Sequence, residues 1–472
     1  MNVFGTTRAG VGTNWRKASL VVAVRVAMLV VIATALGWLV GSGGLRLLLG
    51  AALAAGAYYV ALKWPVVAAT IVLLLSGGYT AFSTTPGFQV EAMRLGGGAY
   101  VVDVFLLGLL MAGLTRIAYP EGRRRMGRLL MPATACGAWL ALETLRNVAT
   151  AGVSAPGELR TRYLILAVAF GLVTGVDREA LVRVALKAFV LVAVALPLGL
   201  LPVVLHLKGW SFSTTDRIFP ANVSLGLVLG LTILWVFRIY LRWPLWLMST
   251  ASVLGALEIM LDAHRSVWLS ACVLVAILLL VEARLQRTLR WAVLGLAATV
   301  VTTLVALGLG YDVVGTVAAR GEAALHLQDT TAWRVGVWGT SLQDFAASPI
   351  IGRGLGLYFD MYVPGFGRVT VFPHSLYVLL LVHLGLVGLI LFIWLFAAAW
   401  RTCASGLRGA WRGFAPSGVG PLCAYCGLGV LGVILAYGVG YGLEPYSVTL
   451  AGICLAGASG AGSSWSARSA TS

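Results

Sequence analysis

Four arginines and one histidine are the side chains in this sequence best suited to chemistry. Arg217 lies in Ser213-Thr214-Thr215-Asp216-Arg217-Ile218-Phe219-Pro220-Ala221-Asn222, Arg265 in Asp262-Ala263-His264-Arg265-Ser266, Arg334 beside Trp333, and Arg353 in Gly352-Arg353-Gly354. Each adjoins apolar sequence, where a charge is costly unless it reaches water or an anion. Taken singly, each reads equally as an interfacial arginine, snorkelling to water or pairing with Asp216 or Asp262. Taken together they could converge on one anion, because guanidinium forks match phosphate oxygens in a bidentate manner, and their number makes a pyrophosphate plausible. His374, in Phe372-Pro373-His374-Ser375-Leu376-Tyr377, suits a general base. A reference pKa of about 6.5 leaves a neutral imidazole to accept a hydroxyl proton near neutral pH. A plain interfacial histidine fits the same position, and His383 inside the same apolar run reads as a packed, hydrogen-bonded one.

The elements that must position these residues are set by composition. Of 472 residues, 60% are hydrophobic and 11% charged, and the mean hydropathy is +0.93. A soluble domain is about half apolar and about a quarter charged, so a soluble globular enzyme is excluded. The apolar residues fall in blocks long enough to cross a bilayer as helices, which predicts an all-α polytopic membrane protein with about 12–14 transmembrane helices. The first block, Leu20–Val40 after Arg8, Arg16 and Lys17, is too long for a signal-peptide core and is expected to be a retained anchor. The net charge of +17 comes from 34 Lys plus Arg against 17 Asp plus Glu. It is dispersed between apolar runs, as the positive-inside rule expects, which argues for membrane lipids and against nucleic acid as partner. With a cytoplasmic N-terminus, the loops bearing Arg123 to Arg128, Arg238 and Arg242, Arg284 to Arg290, and Arg401 to Arg412 all fall inside.

The same alternation places one long loop outside. The expected organisation is N-terminal spans over 1–210, spans carrying the arginine motifs over 211–311, a periplasmic loop over 312–373, C-terminal spans over 374–461, and a disordered tail over 462–472. Within the loop, Trp333, Val337, Trp338, Leu342 and Phe345 recur at near-helical spacing, with Asp329 or Thr330 as a cap and Pro349 as a stop. This predicts an amphipathic helix at the membrane boundary. The remainder, from Gly352 through Tyr358, Phe359 and Tyr362 to Pro364-Gly365, is turn-forming and aromatic, suited to a lid or substrate wall. Its alternate glycines lack a βαβ context and read as tight turning rather than a nucleotide loop. No metal is expected, because the outer acids show no clustered carboxylates. The single CxxC pair, Cys423 and Cys426, has no second pair or histidine following it and reads as buried thiols.

One set of motifs, in order, resembles a known family: Leu261-Asp262-Ala263-His264-Arg265-Ser266-Val267-Trp268-Leu269, then Trp333-Arg334 and Trp338, then Pro349-Ile350-Ile351-Gly352-Arg353-Gly354-Leu355-Gly356, then Pro373-His374-Ser375-Leu376 with Leu384-Gly385-Leu386-Val387-Gly388. Over about residues 210 to 400 the chain is similar to the O-antigen ligase and Wzy-type polymerase superfamily. The resemblance implies a GT-C-like, metal-independent, inverting glycosyltransferase of the bacterial inner membrane, acting at the periplasmic face without a cofactor. Its donor would be a glycan on undecaprenyl pyrophosphate, and its acceptor lipid A-core (ligase) or a lipid-linked glycan (polymerase). Family roles carry over as pyrophosphate binding to Arg217 and Arg265, the same anion or loop placement to Arg334, and acceptor activation to His374, here followed by Ser375 where many relatives have Asn. Asp262 is the alternative base, and Asn222, Arg353 and Tyr377 are further possible site residues. The rival reading is a lipid-linked oligosaccharide flippase that moves the same lipid without chemistry.

Overall fold

The computed structural model describes residues 44–82, 94–96, 99–151, 166, 169–175, 178–207, 219, 221–262, 264–281, 330–354, 359–363, 367–371, 375–408, 418–440 and 445–459. Helices α1 (Gly44–Lys63) and α2 (Pro65–Phe82) lead to a short hairpin, β1 (Arg94–Gly96) with β2 (Ala99–Tyr100). Then come α3 (Val101–Ile117), α4 (Pro120–Met126), a 3-10 turn Gly127–Leu129, and α5 (Leu130–Ala151). A π-helical turn joins α6 (Arg178–Val190) to α7 (Leu196–Leu207), and α8 (Ala221–Val236), α9 (Leu245–Asp262) and α10 (Arg265–Val281) form the middle. The last part holds α11 (Thr330–Ala347), the antiparallel pair β3 (Phe359–Val363) and β4 (Gly367–Val371), then α12 (Leu376–Arg408), α13 (Val419–Tyr437) and α14 (Pro445–Ala458).

The protein is an all-α polytopic membrane protein, its helices interrupted only by these two hairpins among the described residues. By length and composition, Arg183–Pro202, Leu376–Leu407 and Val419–Tyr437 can each cross a membrane. Val101–Ile117 with Pro120–Asn147, bent by 114°, makes a fourth or a re-entrant pair. Proline at the first position of α4 sets the bend, since it needs no N–H partner there. This count falls short of the dozen or more spans expected, for two reasons. Helices such as α8 and α10 have 16 and 17 residues, a rise of about 25 Å against a hydrocarbon core of about 30 Å. The expected anchor at 20–40, the run at 291–311 and the tail at 462–472 lie outside the described residues.

Small residues let the helices approach closely, the packing device available where lipid supplies no hydrophobic drive. A β-carbon on Gly113 of α3 would run into the backbone of Phe170, and the Arg116 guanidinium one turn on donates to the Ala61 and Leu62 carbonyls at the end of α1, both at 2.8 Å. Those carbonyls have no intrahelical partner, so the arginine satisfies a helix C-terminus inside the bundle.

Hydrogen bonds between helices fix which ends lie together. Leu376 N–H donates to the Gly438 carbonyl at 2.8 Å, so α12 starts where α13 ends. Tyr425 donates to the Leu278 carbonyl at 3.3 Å, while Ser266 lies beside Gly440, so α10 also runs antiparallel to α13. Tyr446 donates to the Asn222 carbonyl at 2.6 Å, joining the start of α8 to that of α14. One end of the bundle therefore carries Asn222, Arg265, Leu376 and Gly438, and the opposite end carries Arg238, Arg242, Arg401 and Arg408. The turn Gly127–Leu129 also packs against α12, and Asn147 of α5 is level with its His383 region. The intervening length of α5 is too great to fit towards Leu376, so Arg123, Arg124, Arg125 and Arg128 fall towards the Arg401 end.

Candidate active site

The turn between α9 and α10 is built by its own side chains. Trp268 N–H donates to the His264 carbonyl and Trp268 Nε1 to the Ile259 carbonyl, each at 3.0 Å, which draws the end of one helix onto the start of the next. Below the turn, Ser224 of α8 donates to the carboxylate of Glu258 of α9 at 3.0 Å, both fully buried, which sets the two helices in register. His264 is buried at 3%, and its Nε2 donates to the Phe219 carbonyl at 3.1 Å. The imidazole thus ties the segment that begins α8 to the turn carrying Arg265, whose side chain is exposed.

On the next element, α11, Arg334 is half-buried. Its guanidinium stands over Gly440, where an added β-carbon would lie 3.3 Å from Nη1 and 3.7 Å from Cβ of Ser266. Gly438, two residues earlier, receives the Leu376 amide. A continuous set of contacts thus runs from Phe219 through His264, Arg265 and Ser266 to Gly440 and Arg334, and from Gly438 to Leu376. Phe219 follows Arg217 by two residues and Leu376 follows His374 by two; Arg217 and His374 themselves lie outside the described residues. Asp262 closes α9 with its backbone described and its side chain outside the description.

The remaining candidates take other places. Asn222, the second residue of α8, accepts from Tyr446 through its carbonyl and from the Val223 amide through Oδ1 at 3.1 Å, a tie between α8 and α14. Tyr377 donates its hydroxyl to the Leu435 carbonyl at 2.8 Å, pinning α12 to α13. Arg353 pairs with Asp344, ten residues along α11 from Arg334, a helical distance of about 15 Å. It therefore belongs to a separate cluster rather than to the Arg265 and Arg334 end. The alternate glycines do turn tightly: φ is 71° at Gly352 and 102° at Gly354.

An apolar groove of about 390 Å³ runs along α12 from Leu376, Tyr377 and Leu380 past Phe392 and Phe396 to Trp400. Its first residues are those that adjoin Gly438. At the other end of α12, the CxxC pair is buried as the sequence suggested, with two further cysteines close by: Cys403 and Cys454 pack around Gly427, and Cys423 around Gly457. All four thiols are buried, and among the described residues no His, Cys, Asp or Glu group is arranged to hold a metal ion.

Five contributors are absent from the sequence reading. Gly438 and Gly440 carry no side chain to notice, though the alternating glycines of Gly438-Val439-Gly440-Tyr441-Gly442 are a turn signal. Glu143, Arg146 and Asn147 stood inside a run taken only as a span, where ionisable residues are themselves a signal.

Residues 250–393 match the family model Wzy_C, described as O-antigen ligase. The match opens within α9, closes within α12, and contains Arg265, Arg334 and His374. No curated protein gives a significant match to the chain. Fold and site define a polytopic membrane protein that brings Arg334 beside the turn carrying Arg265 at one end of its helices. Over this region, under a third of the chain, the sequence is similar to the O-antigen ligase family, which supports in general terms a membrane glycosyltransferase of the ligase or polymerase type.

Proposed function

We propose that the chain transfers a glycan from undecaprenyl pyrophosphate to an acceptor hydroxyl at the periplasmic face of the bacterial inner membrane. Arg217, Arg265 and Arg334 bind the pyrophosphate, and His374 takes the proton from the acceptor hydroxyl as its oxygen attacks the anomeric carbon. The bond to the pyrophosphate breaks as the new glycosidic bond forms, in a single displacement that inverts configuration. Preorganised guanidinium groups help most where charge grows on the departing phosphate. The donor carries its own activation, so no nucleotide or metal is called on.

The observation that carries this reading is the set of contacts joining Phe219, His264, Arg265, Ser266, Gly440, Arg334, Gly438 and Leu376. It gathers the flanking residues of four sequence-distant candidates at one end of the bundle. The groove along α12 opens beside the same residues and suits the donor's hydrocarbon.

The test is to incubate purified protein with undecaprenyl-pyrophosphate glycan, with and without lipid A-core. A ladder from donor alone identifies a polymerase and one shifted lipid A-core product a ligase; no transfer to any acceptor discards the enzyme in favour of a flippase. His374→Ala should abolish turnover, and the wild-type rate should fall as pH drops through the imidazole pKa, about 6.5 in reference peptides, because a protonated ring accepts no proton. Wild-type rate in His374→Ala with loss in Asp262→Asn would transfer the base role to Asp262.

A further inference from the structure

Helix α12 is broken at Gly385, where φ is 68° and ψ is −169°. In an unbroken helix the Leu386 and Val387 amides would donate to the Val382 and His383 carbonyls, four residues back. Here all four groups turn to another segment. Leu386 N–H donates to the Pro349 carbonyl at 2.9 Å and Val387 N–H to the Ile350 carbonyl at 3.2 Å, while Arg353 N–H donates to the Val382 carbonyl at 2.7 Å and Gly354 N–H to the His383 carbonyl at 3.0 Å. The Pro349–Gly354 turn thus lies in the break, exchanging two helical bonds for four.

The turn's own carbonyls are met from the side. His383 Nδ1 donates to the Gly354 carbonyl at 2.8 Å. Arg146 of α5 donates to the Gly352 carbonyl at 3.0 Å and pairs with Glu143, one turn back on the same helix, at 2.9 Å. The Glu143 side chain is 2% exposed, so its charge is balanced inside the protein by the guanidinium that grips the turn. Asn147, also buried, abuts Gly354.

We infer that Arg146, charge-balanced by Glu143, is a positioning residue that holds the Pro349–Gly354 turn in the break of α12. The turn is flanked by α11, which carries Arg334, and by the β3–β4 hairpin, which leads towards Ser375. Fixing the turn therefore fixes both approaches to the proposed site, from a helix that lies outside the matched family region. The effect on catalysis rests on the function proposed above; the grip on the turn does not. Both contacts are made by one nitrogen, Nη2, so a lysine ammonium could reach both oxygens but, on a flexible stem, would hold them less rigidly than the planar guanidinium does.

The test uses full-length protein in nanodiscs with Cys272→Ser, which removes the exposed thiol of the six. Ile350→Cys with Val387→Cys places a cross-linkable pair across the docked turn. Oxidation of this pair by copper phenanthroline should slow by about tenfold when Arg146→Met is added, the equilibrium worth of a hydrogen bond to a charged group. Arg146→Met alone should lower kcat for glycan transfer by about tenfold or more, and the oxidised pair, but not the reduced pair, should restore it. Arg146→Lys should fall between. An unchanged cross-linking rate overturns the inference, as does a cross-link that forms without restoring transfer, since Arg146 would then act on substrate or on the fold at large. If Arg146→Met fails to fold with Glu143 left buried and unpaired, Glu143→Gln with Arg146→Met carries the same comparison. A wild-type protein that transfers no glycan sinks the proposed function, and the cross-linking rates still decide the role of Arg146.

Discussion

His264 is buried next to an exposed arginine, and the two do different work: the imidazole joins Phe219 to the turn, and Arg265 faces out from it. Replacing His264 by alanine leaves the Phe219 carbonyl without its imidazole donor, a loss of about 1–3 kcal/mol, measurable as a lower unfolding temperature in detergent. Donor binding should weaken with it, because Arg217 and Arg265 sit on the two segments the bond connects. Gly440 offers a cleaner probe of Arg334. Its φ is not among the positive values, so a β-carbon fits the backbone, and it would meet the flexible end of Arg334 at 3.3 Å. Gly440→Ala should fold and work nearly as wild type, whereas Gly440→Val should fold but raise the donor KM about tenfold by displacing one charge-assisted contact. A valine variant with unchanged KM would remove Arg334 from the anion site. The arginines were legible in the sequence because a charge amid apolar residues needs an explanation. Gly440 was not, since its importance comes entirely from what the fold brings to it.

At the scale of elements, the amphipathic pattern from Thr330 and its stop at Pro349 gave α11 almost to the residue. The buried stripe is shifted from the one read: Val337 and Ser341 are enclosed, while Leu342 is 43% exposed. The stretch read as an aromatic wall forms two strands, from Phe359 and from Gly367. Five-residue strands paired with each other leave too short a pattern to stand out beside glycine and proline. The break in α12 was illegible for a different reason. Residues 374–400 form one apolar run, and hydrophobic periodicity carries no record of a single glycine leaving helical φ and ψ. Gly385→Ala tests that break: a β-carbon would run into the Ile350 carbonyl, and the conformation is one only glycine adopts readily, at a cost of about 1–3 kcal/mol for other residues. The expected result is an undocked turn, seen as faster proteolytic nicking at 349–354, with glycan transfer lost.

Among the described residues, Arg123 to Arg128, Arg238, Arg242, Arg401 and Arg408 gather at one end of the molecule and Arg265 and Arg334 at the other, while the basic loop at 284–290 lies outside the described residues. The number of spans was less legible, because helices of 16 or 17 residues and a bent pair do not map one to one onto apolar runs. Sidedness is open to chemical labelling. With Cys272→Ser as background, Gly339→Cys on α11, where a side chain meets open space, should react with a membrane-impermeant maleimide in spheroplasts, and Arg124→Cys only after permeabilisation. The reverse pattern would put the site in the cytoplasm and end the proposed reaction. The exchange of hydrogen bonds in α12 also bears on biogenesis. Pro349–Gly354 emerges from the ribosome ahead of Val382–Val387, so its peptide groups need water or a chaperoning surface until the later helix arrives. A chain halted between the two should be held at the insertion machinery, and release into the bilayer becomes a checkpoint that only synthesis past Val387 can clear.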